Sequence, residues 1–248
     1  YKVMKYCSAL LVMVFCLTFN IFSQVQFTSH TITFNATNVE EIYAEDIDSD
    51  GDLDIVSALF VGNEIWWYEN DGNENFTETL ITTEADGPRS VYAFDVDTDG
   101  DIDILSTSMR DDEVAWLEND GNENFTYHII ATNANQGTSV FAIDMDGDGD
   151  TDVLAASAFD DRFFWYENDG DENFTSHTIS TNVNSPQSVF AIDVDGDSDI
   201  DVLSASLIDA KIAWYENDGN ENFTSHTITT GANGARSVYA VDVDSDGD

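Results

Sequence analysis

Between Ser188 and Ser237 the chain alternates short β-branched and aromatic runs with clusters of Asp, Asn and Gly. Ser188-Val189-Phe190-Ala191-Ile192 reads as one strand. An aspartate-rich loop, Asp193 to Asp201, follows it. Val202-Leu203-Ser204-Ala205-Ser206-Leu207 predicts a second strand, ending at a turn near Asp209-Ala210. Lys211-Ile212-Ala213-Trp214-Tyr215-Glu216 predicts a third. Asn217-Asp218-Gly219-Asn220 is a turn in which Gly supplies φ > 0. Asn222 to Ile228 is the fourth strand. A stretch rich in Gly and Asn, Thr230 to Arg236, leads on. No helical period competes with this pattern.

The pattern recurs. Asp46, Asp95, Asp144, Asp193 and Asp242 each open a run of alternating aspartates, at a constant interval of 49 residues. Trp67, Trp116, Trp165 and Trp214 share that interval, as do Phe27, Phe76, Phe125, Phe174 and Phe223. The units fall near 41–89, 90–138, 139–187 and 188–236, with an incomplete unit at 237–248. Four short antiparallel strands in a unit of this length match a β-propeller blade. A lone blade cannot bury both faces, so neighbouring blades must cover the Trp and Phe rows. The expected fold is therefore all-β: a β-propeller of four-stranded blades, about four of them complete. A flat solenoid is the alternative architecture. Gln26 to Ile32 predicts an orphan fourth strand, and the last residues stop inside a fifth aspartate loop. The chain thus reads as a C-terminally truncated piece of a longer propeller.

The first residues have a different character. Met4-Lys5, an apolar stretch over Ala9 to Phe19 and a small residue at Ser23 fit a cleavable secretory signal over residues 1–23. The repeat domain then occupies 24–248, secreted or at the cell surface, with no membrane insertion once the signal is cleaved. The stretch is short for a spanning helix, which needs about 20 residues; an uncleaved anchor is the alternative. Cys7 and Cys16 are the only cysteines, so the mature chain has neither disulfide nor thiol chemistry.

Charge narrows the partners. There are 50 acidic and 7 basic residues, for a formal net charge of −43. Nucleic-acid binders that neutralise phosphates need a basic surface, so that class is excluded. Docking on anionic membranes is disfavoured for the same reason. The chain is nevertheless 42% hydrophobic and 12% aromatic, enough to build a core rather than remain disordered.

The acidic residues are concentrated in the loops. The candidate metal ligands are Asp46, Asp48, Asp50, Asp52 and Asp54; Asp95, Asp97, Asp99, Asp101 and Asp103; Asp144, Asp146, Asp148, Asp150 and Asp152; and Asp193, Asp195, Asp197, Asp199 and Asp201. Asp242, Asp244 and Asp246 belong to the fifth, incomplete loop. Carboxylates at positions 1, 3 and 5, with Gly at 6, wrap oxygens around Ca²⁺. Position 7 would offer its backbone carbonyl and position 9 a carboxylate. An all-oxygen donor set selects a hard cation, so one Ca²⁺ is expected per complete loop. Position 12 holds Ser57, Ser106, Ala155 and Ser204, where an EF-hand needs Glu. A solvated acidic turn is the plain alternative. The fourth loop is the weakest, because Ser198 replaces the Gly of the sharp turn.

These units resemble the FG-GAP-like repeats, also called VCBS repeats, in bacterial-type secreted proteins related to the integrin α-subunit propeller. The loops match that family's D-x-D-x-D-G-x-x-D calcium motif, and five copies in phase carry the resemblance from Phe27 to Asp248. The literal Phe-Gly and Gly-Ala-Pro signatures are absent; a Trp-Tyr-Glu-Asn-Asp-Gly run stands in their region. The resemblance implies a seven- or eight-bladed extracellular propeller with structural calcium. It implies no single activity, since the family includes adhesion proteins, lectin-like modules and propellers attached to enzymes.

No catalytic constellation stands out, so the chain is not expected to be an enzyme. His30, His128, His177 and His226 share one phase of the fourth strand. Equivalent positions on different blades cannot converge on one ion, so packing roles are expected. The same reasoning assigns the in-phase Trp row to the core rather than to sugar stacking. The function expected is an exported adhesion or ligand-binding propeller whose partner is a glycan or a cell-surface protein. A spacer in a large surface protein, or the propeller of a polysaccharide-degrading enzyme, are the alternatives. Ligands are expected opposite the calcium loops, where the connections vary between units and Arg89, Arg110, Arg162, Lys211 and Arg236 all lie.

Overall fold

The computed structural model describes residues 29–33 and 35–242. The chain divides into a unit over Tyr1–His30 and one over Thr31–Asp248, and every strand described lies in the second. The signal segment expected over 1–23 lies outside the described residues, as does the start of the orphan strand; residues 29–32 of that strand are not in a strand. Among the described residues there is no helix, and hence none long and apolar enough to cross a membrane.

Each repeat forms one antiparallel sheet with its strands in sequence order. The first blade contains β1 (Val39–Glu45), β2 (Asp54–Leu59), β3 (Glu64–Asn70) and β4 (Phe76–Thr82). The second contains β5 (Pro88–Phe94), β6 (Asp103–Ser108), β7 (Val114–Asn119) and β8 (Phe125–Ala131). The third contains β9 (Gly137–Ile143), β10 (Asp152–Ser157), β11 (Arg162–Asn168) and β12 (Phe174–Ser180). The fourth contains β13 (Pro186–Ile192), β14 (Asp201–Ser206), β15 (Lys211–Asn217) and β16 (Phe223–Thr229).

The period-2 alternation of a strand sends successive side chains to opposite faces. Here both faces meet another blade. On β10, Val153 and Ala155 enter a core shared with the second blade, around Leu105, Val114 and Trp116. Leu154 and Ala156 enter the opposite core with Phe163 and Trp165, against Val189, Val202 and Tyr215 of the fourth blade. This explains why β6 and β10 are buried at every position. Full burial of one such large apolar side chain stabilises by about 1.5–3 kcal/mol. Trp67, Trp116 and Trp165 are at most 1% exposed in these inter-blade cores. Trp214, facing away from the third blade, is only half-buried.

The blades fan outward from their first strands. β1 contacts β5, β5 contacts β9 and β9 contacts β13, whereas the outer strands β4 and β8 barely touch. Such a wedge is the propeller arrangement rather than a flat stack. Two ladders stitch the inner strands together. The N–H of Val140 donates to Ser90 Oγ (3.1 Å), Val189 to Ser139 Oγ (3.2 Å) and Val238 to Ser188 Oγ (3.3 Å). In the first blade Glu41 takes the serine's place and accepts from both Ser90 Oγ and Val91 N. Beside this ladder runs an aromatic one, Tyr43–Tyr92–Phe141–Phe190–Tyr239, with centroids 4.6, 4.9, 5.0 and 4.7 Å apart.

The histidines serve the outer strands. His128, His177 and His226 stack on Trp116, Trp165 and Trp214, with centroids 4.9, 4.6 and 4.6 Å apart. Each also bonds through Nε2 to a glutamate of the third strand, Glu118, Glu167 or Glu216, at 2.6–2.7 Å.

Candidate metal centres

The aspartate loops join the first two strands of each blade. Local side chain–backbone bonds shape them. In the first loop Asp48 accepts from Asp50 N (3.1 Å), Asp50 from Asp52 N (2.9 Å) and Asp46 from Gly51 N (3.0 Å). These Asx-type contacts wind the chain so that its carboxylates face inward. Position 6 needs a left-handed backbone: φ is +99° at Gly51, +101° at Gly100 and +100° at Gly149. Ser198 holds the same place at +82°, and its N–H still reaches Asp193 Oδ2 at 3.0 Å. A side chain in that region costs roughly 1–2 kcal/mol.

Oxygens of Asp46, Asp48 and Asp50 lie within 4.8 Å of one another. So do those of Asp95, Asp97 and Asp99, of Asp144, Asp146 and Asp152, and of Asp193, Asp195 and Asp197. Two further observations bear on a cation. Asp46 Oδ1 and Asp95 Oδ1 are buried and accept no hydrogen bond. The matching oxygens of Asp144 and Asp193 accept from Gly147 N (2.8 Å) and Gly196 N (2.7 Å). A buried carboxylate oxygen without a partner is costly, and a bound cation removes the cost. Burial, followed by the neighbouring aspartates, also raises the pKa of Asp97 and Asp146 despite one N–H donor each. These loops could therefore hold metal ions through oxygen alone.

Position 9 has a second task. Asp54, Asp103, Asp152 and Asp201 are fully buried. One oxygen of each accepts the N–H of position 2: Ile47 (3.2 Å), Val96, Met145 and Val194 (each 3.0 Å). The other accepts the N–H that begins the Asn-Asp-Gly turn: Asn70 (2.8 Å), Asn119 (2.7 Å), Asn168 (2.8 Å) and Asn217 (2.8 Å). Ile47, Val96 and Met145 meanwhile plug into the inter-blade cores. Burial pushes Asp103 up to about 7 and Asp152 to about 6, against the pull of these donors.

Position 7 points elsewhere. The carboxylates of Asp52, Asp101, Asp150 and Asp199 lie over Gly72, Gly121, Gly170 and Gly219, where a Cβ would collide with them. Their side chains are outside the four acidic clusters. Asp244 and Asp246 of the fifth loop lie outside the described residues.

The opposite end of the blades holds residues that spacing did not single out. Asn63, Asp112 and Asp161, all at positive φ, accept the N–H of Gly87 (3.1 Å), Gln136 (3.0 Å) and Ser185 (2.8 Å) from the next blade. The basic residues there are unequal. Lys211 is buried and donates to Asn182 O at 2.6 Å. Arg110 pairs with Asp86 at 3.1 Å and covers the Phe60 ring. Arg162 is exposed, while Arg89 and Arg236 line a cavity of about 220 Å³ at the inner strands.

Among solved structures, the biofilm matrix protein Bap1 of V. cholerae is similar, with a TM-score of 0.53 and 20% identity over 79% of this chain and 29% of that one. A protein from Lactobacillus plantarum matches with a TM-score of 0.56 and 10% identity, covering 77% of this chain and 55% of that one. A lectin of Agrocybe aegerita that recognises non-reducing terminal N-acetylglucosamine matches at a TM-score of 0.40 and 18% identity, over 79% of this chain and 67% of that one. The chain thus spans under a third of Bap1 and about half of the Lactobacillus protein. Comparison with curated proteins returns no match. The model of the FG-GAP-like repeat matches four times in succession, over residues 46–106, 95–155, 144–204 and 193–248. With one blade and one aspartate loop for every matched repeat, the chain belongs to the FG-GAP-like repeat family.

Proposed function

We propose that this chain is an exported, calcium-stabilised binding propeller whose partner is a glycan or a cell-surface protein. The observation that carries this reading is a division of labour between the two ends of the blades. At one end, the aspartate loops and Asn-Asp-Gly turns are nearly identical in every repeat and bonded to each other. At the other end lies the cavity lined by Arg89, Thr138, Gln187 and Arg236, which occupy one phase of the repeat yet differ. Binding sites sit on varied loops held by a rigid scaffold.

In the first loop Ca²⁺ would be held by Asp46, Asp48, Asp50, the Asp52 carbonyl and Asp54; the same positions would hold it in the other three. Its chemistry would be charge neutralisation, stabilising crowded carboxylates. Calcium suits this set because it accepts many oxygens in flexible geometry, whereas Mg²⁺ retains waters. Export is supported by the signal-like residues 1–23, and FG-GAP-like repeats are typical of extracellular proteins. A binding role is proposed over a catalytic one because the carboxylates at the aspartate end serve the loops, the neighbouring turns and the proposed cation.

The test is a glycan array and a surface-protein screen, each with calcium and with EGTA. Calcium-dependent retention is expected, weakened by substitutions at the cavity end. Retention that depends on the Asn-Asp-Gly turns instead would assign binding to the wrong end. Release of cleaved sugars would favour the polysaccharide-degrading alternative.

A further inference from the structure

The cavity at the inner strands is lined by two arginines, Arg89 and Arg236, and two glutamates, Glu40 and Glu41. Arg89 Nη2 donates to Gln187 Oε1 at 3.0 Å, across 98 residues of sequence and past the intervening blade. Gln187 is fixed for this by its own amide, which donates to Ser185 O, Ser185 Oγ and Pro186 O at 3.1–3.2 Å. Thr138, on the blade between them, donates to Pro186 O at 2.9 Å. Arg89 is thus held by a built platform, half-buried, with Met109 Sδ at 3.7 Å from Nη1.

A guanidinium carries five N–H donors. Among the described residues, Arg89 meets no carboxylate within hydrogen-bond distance, and Arg236 makes no hydrogen bond or ion pair at all. Burial disfavours the charge on Arg89, and Arg236, which also lines the cavity, repels it more weakly than Glu40 attracts it. Of the two acids lining it, Glu41 is occupied by Ser90 Oγ at 2.5 Å and Val91 N at 3.1 Å. Glu40 attracts Arg89 from a distance and remains an open acceptor.

The site therefore combines two cations lacking a direct counter-ion with an acceptor suited to hydroxyl groups. We propose that this cavity binds a carboxylate-bearing sugar unit, a uronic acid, with its carboxylate between Arg89 and Arg236 and a hydroxyl donating to Glu40. Bidentate guanidinium–carboxylate contacts supply both strength and orientation. The cavity volume of about 220 Å³ is below the roughly 300–1,000 Å³ of pockets for drug-sized ligands. One sugar unit or a chain end fits it better than an extended oligosaccharide. This assignment rests on the binding reading given above.

The experiment is titration calorimetry of the full chain, calcium present, with galacturonate and with galactose. Galacturonate is expected to bind about tenfold or more tightly than galactose. Arg236→Ser, at an exposed position, should weaken galacturonate by about tenfold and leave the melting temperature unchanged. Arg89→Ser should do the same to binding, while Arg162→Ser, an exposed cation outside the cavity, should change nothing. Equal affinity for the two sugars, or indifference to Arg236→Ser, overturns the assignment. Tighter binding of inorganic phosphate or of a polyglutamate peptide overturns it too. If another glycan is retained in the broader screen while this cavity is idle, only the uronic-acid assignment fails. If that screen retains nothing, the binding reading itself fails.

Discussion

Asp103 Oδ1 accepts the backbone N–H of Asn119 at 2.7 Å, tying the aspartate loop to the turn between β7 and β8. Its second oxygen accepts Val96 N at 3.0 Å, and the residue is fully buried. One carboxylate therefore closes its own loop and docks the neighbouring turn. Asp103→Ala leaves both N–H groups without an acceptor, at a cost of about 2–4 kcal/mol. The effect belongs to the fold as well as to any metal, so it should persist in EGTA. Urea denaturation of both proteins in EGTA measures it; equal midpoints there would reduce Asp103 to a metal ligand alone.

The same burial sets a pH dependence. Asp103 titrates at about 7 and Asp152 at about 6 in the metal-free fold, against an ordinary value of 3.8. The folded state binds these protons more tightly than the unfolded state. Metal-free protein should therefore gain stability, on the order of a few kcal/mol, as pH falls from about 8 towards 5. Calcium-loaded protein should move the opposite way, because protons compete with the cation for the same carboxylates. Melting temperatures measured across that range, with calcium and with EGTA, should diverge in sign. Parallel curves would contradict the shifted titrations.

What the sequence made legible was periodic. The 49-residue interval located the strands, because each aspartate run and each Trp marks the same place in a blade. Side chains that bridge blades were not legible in this way. Asn63, Asp112 and Asp161 look like ordinary turn residues until the fan brings Gly87, Gln136 and Ser185 against them. The Arg89–Gln187 contact skips a whole blade, so no local spacing announces it. Lys211 was expected at the surface with the other cations. Its burial against Asn182 O follows from packing between blades, which overrides the usual exposure of lysine. The double duty of position 9 was likewise hidden, since an aspartate in a metal motif does not reveal which N–H groups it also accepts.

Calcium should be a folding cofactor. Extracellular calcium modules bind with Kd of about 10⁻⁴–10⁻³ M. At tenfold saturation each site adds about 1.4 kcal/mol to the folded state. Four loops with clustered carboxylates would together contribute roughly 5–6 kcal/mol. For a chain of this size that is a shift of roughly 10–20 °C in melting temperature. Differential scanning calorimetry with millimolar calcium and then with excess EGTA reads it directly. A melting temperature indifferent to EGTA would leave the solvated-turn alternative standing.

Ser198→Gly should stabilise the fourth loop and tighten its calcium. The other three loops place Gly at this position with φ near +100°, whereas Ser198 is held at +82°. Its Cβ carries the left-handed penalty, and that penalty is felt most when a cation fixes the loop's carboxylates in place. Glycine removes it at some cost in unfolded-state entropy, for a net gain of about 0.5–1 kcal/mol. The N–H that reaches Asp193 Oδ2 at 3.0 Å belongs to the backbone, so it survives the change. Because Asp193, Asp195 and Asp197 are then positioned with less strain, calcium affinity of this loop should rise by a few-fold. The converse change, Gly149→Ser, should impose on the third loop the burden the fourth already carries. Calorimetric calcium titrations of both variants against the parent chain decide the matter. Opposite shifts of similar size are expected, and a Ser198→Gly protein that binds calcium no more tightly would show that strain at position 6 does not limit the loop.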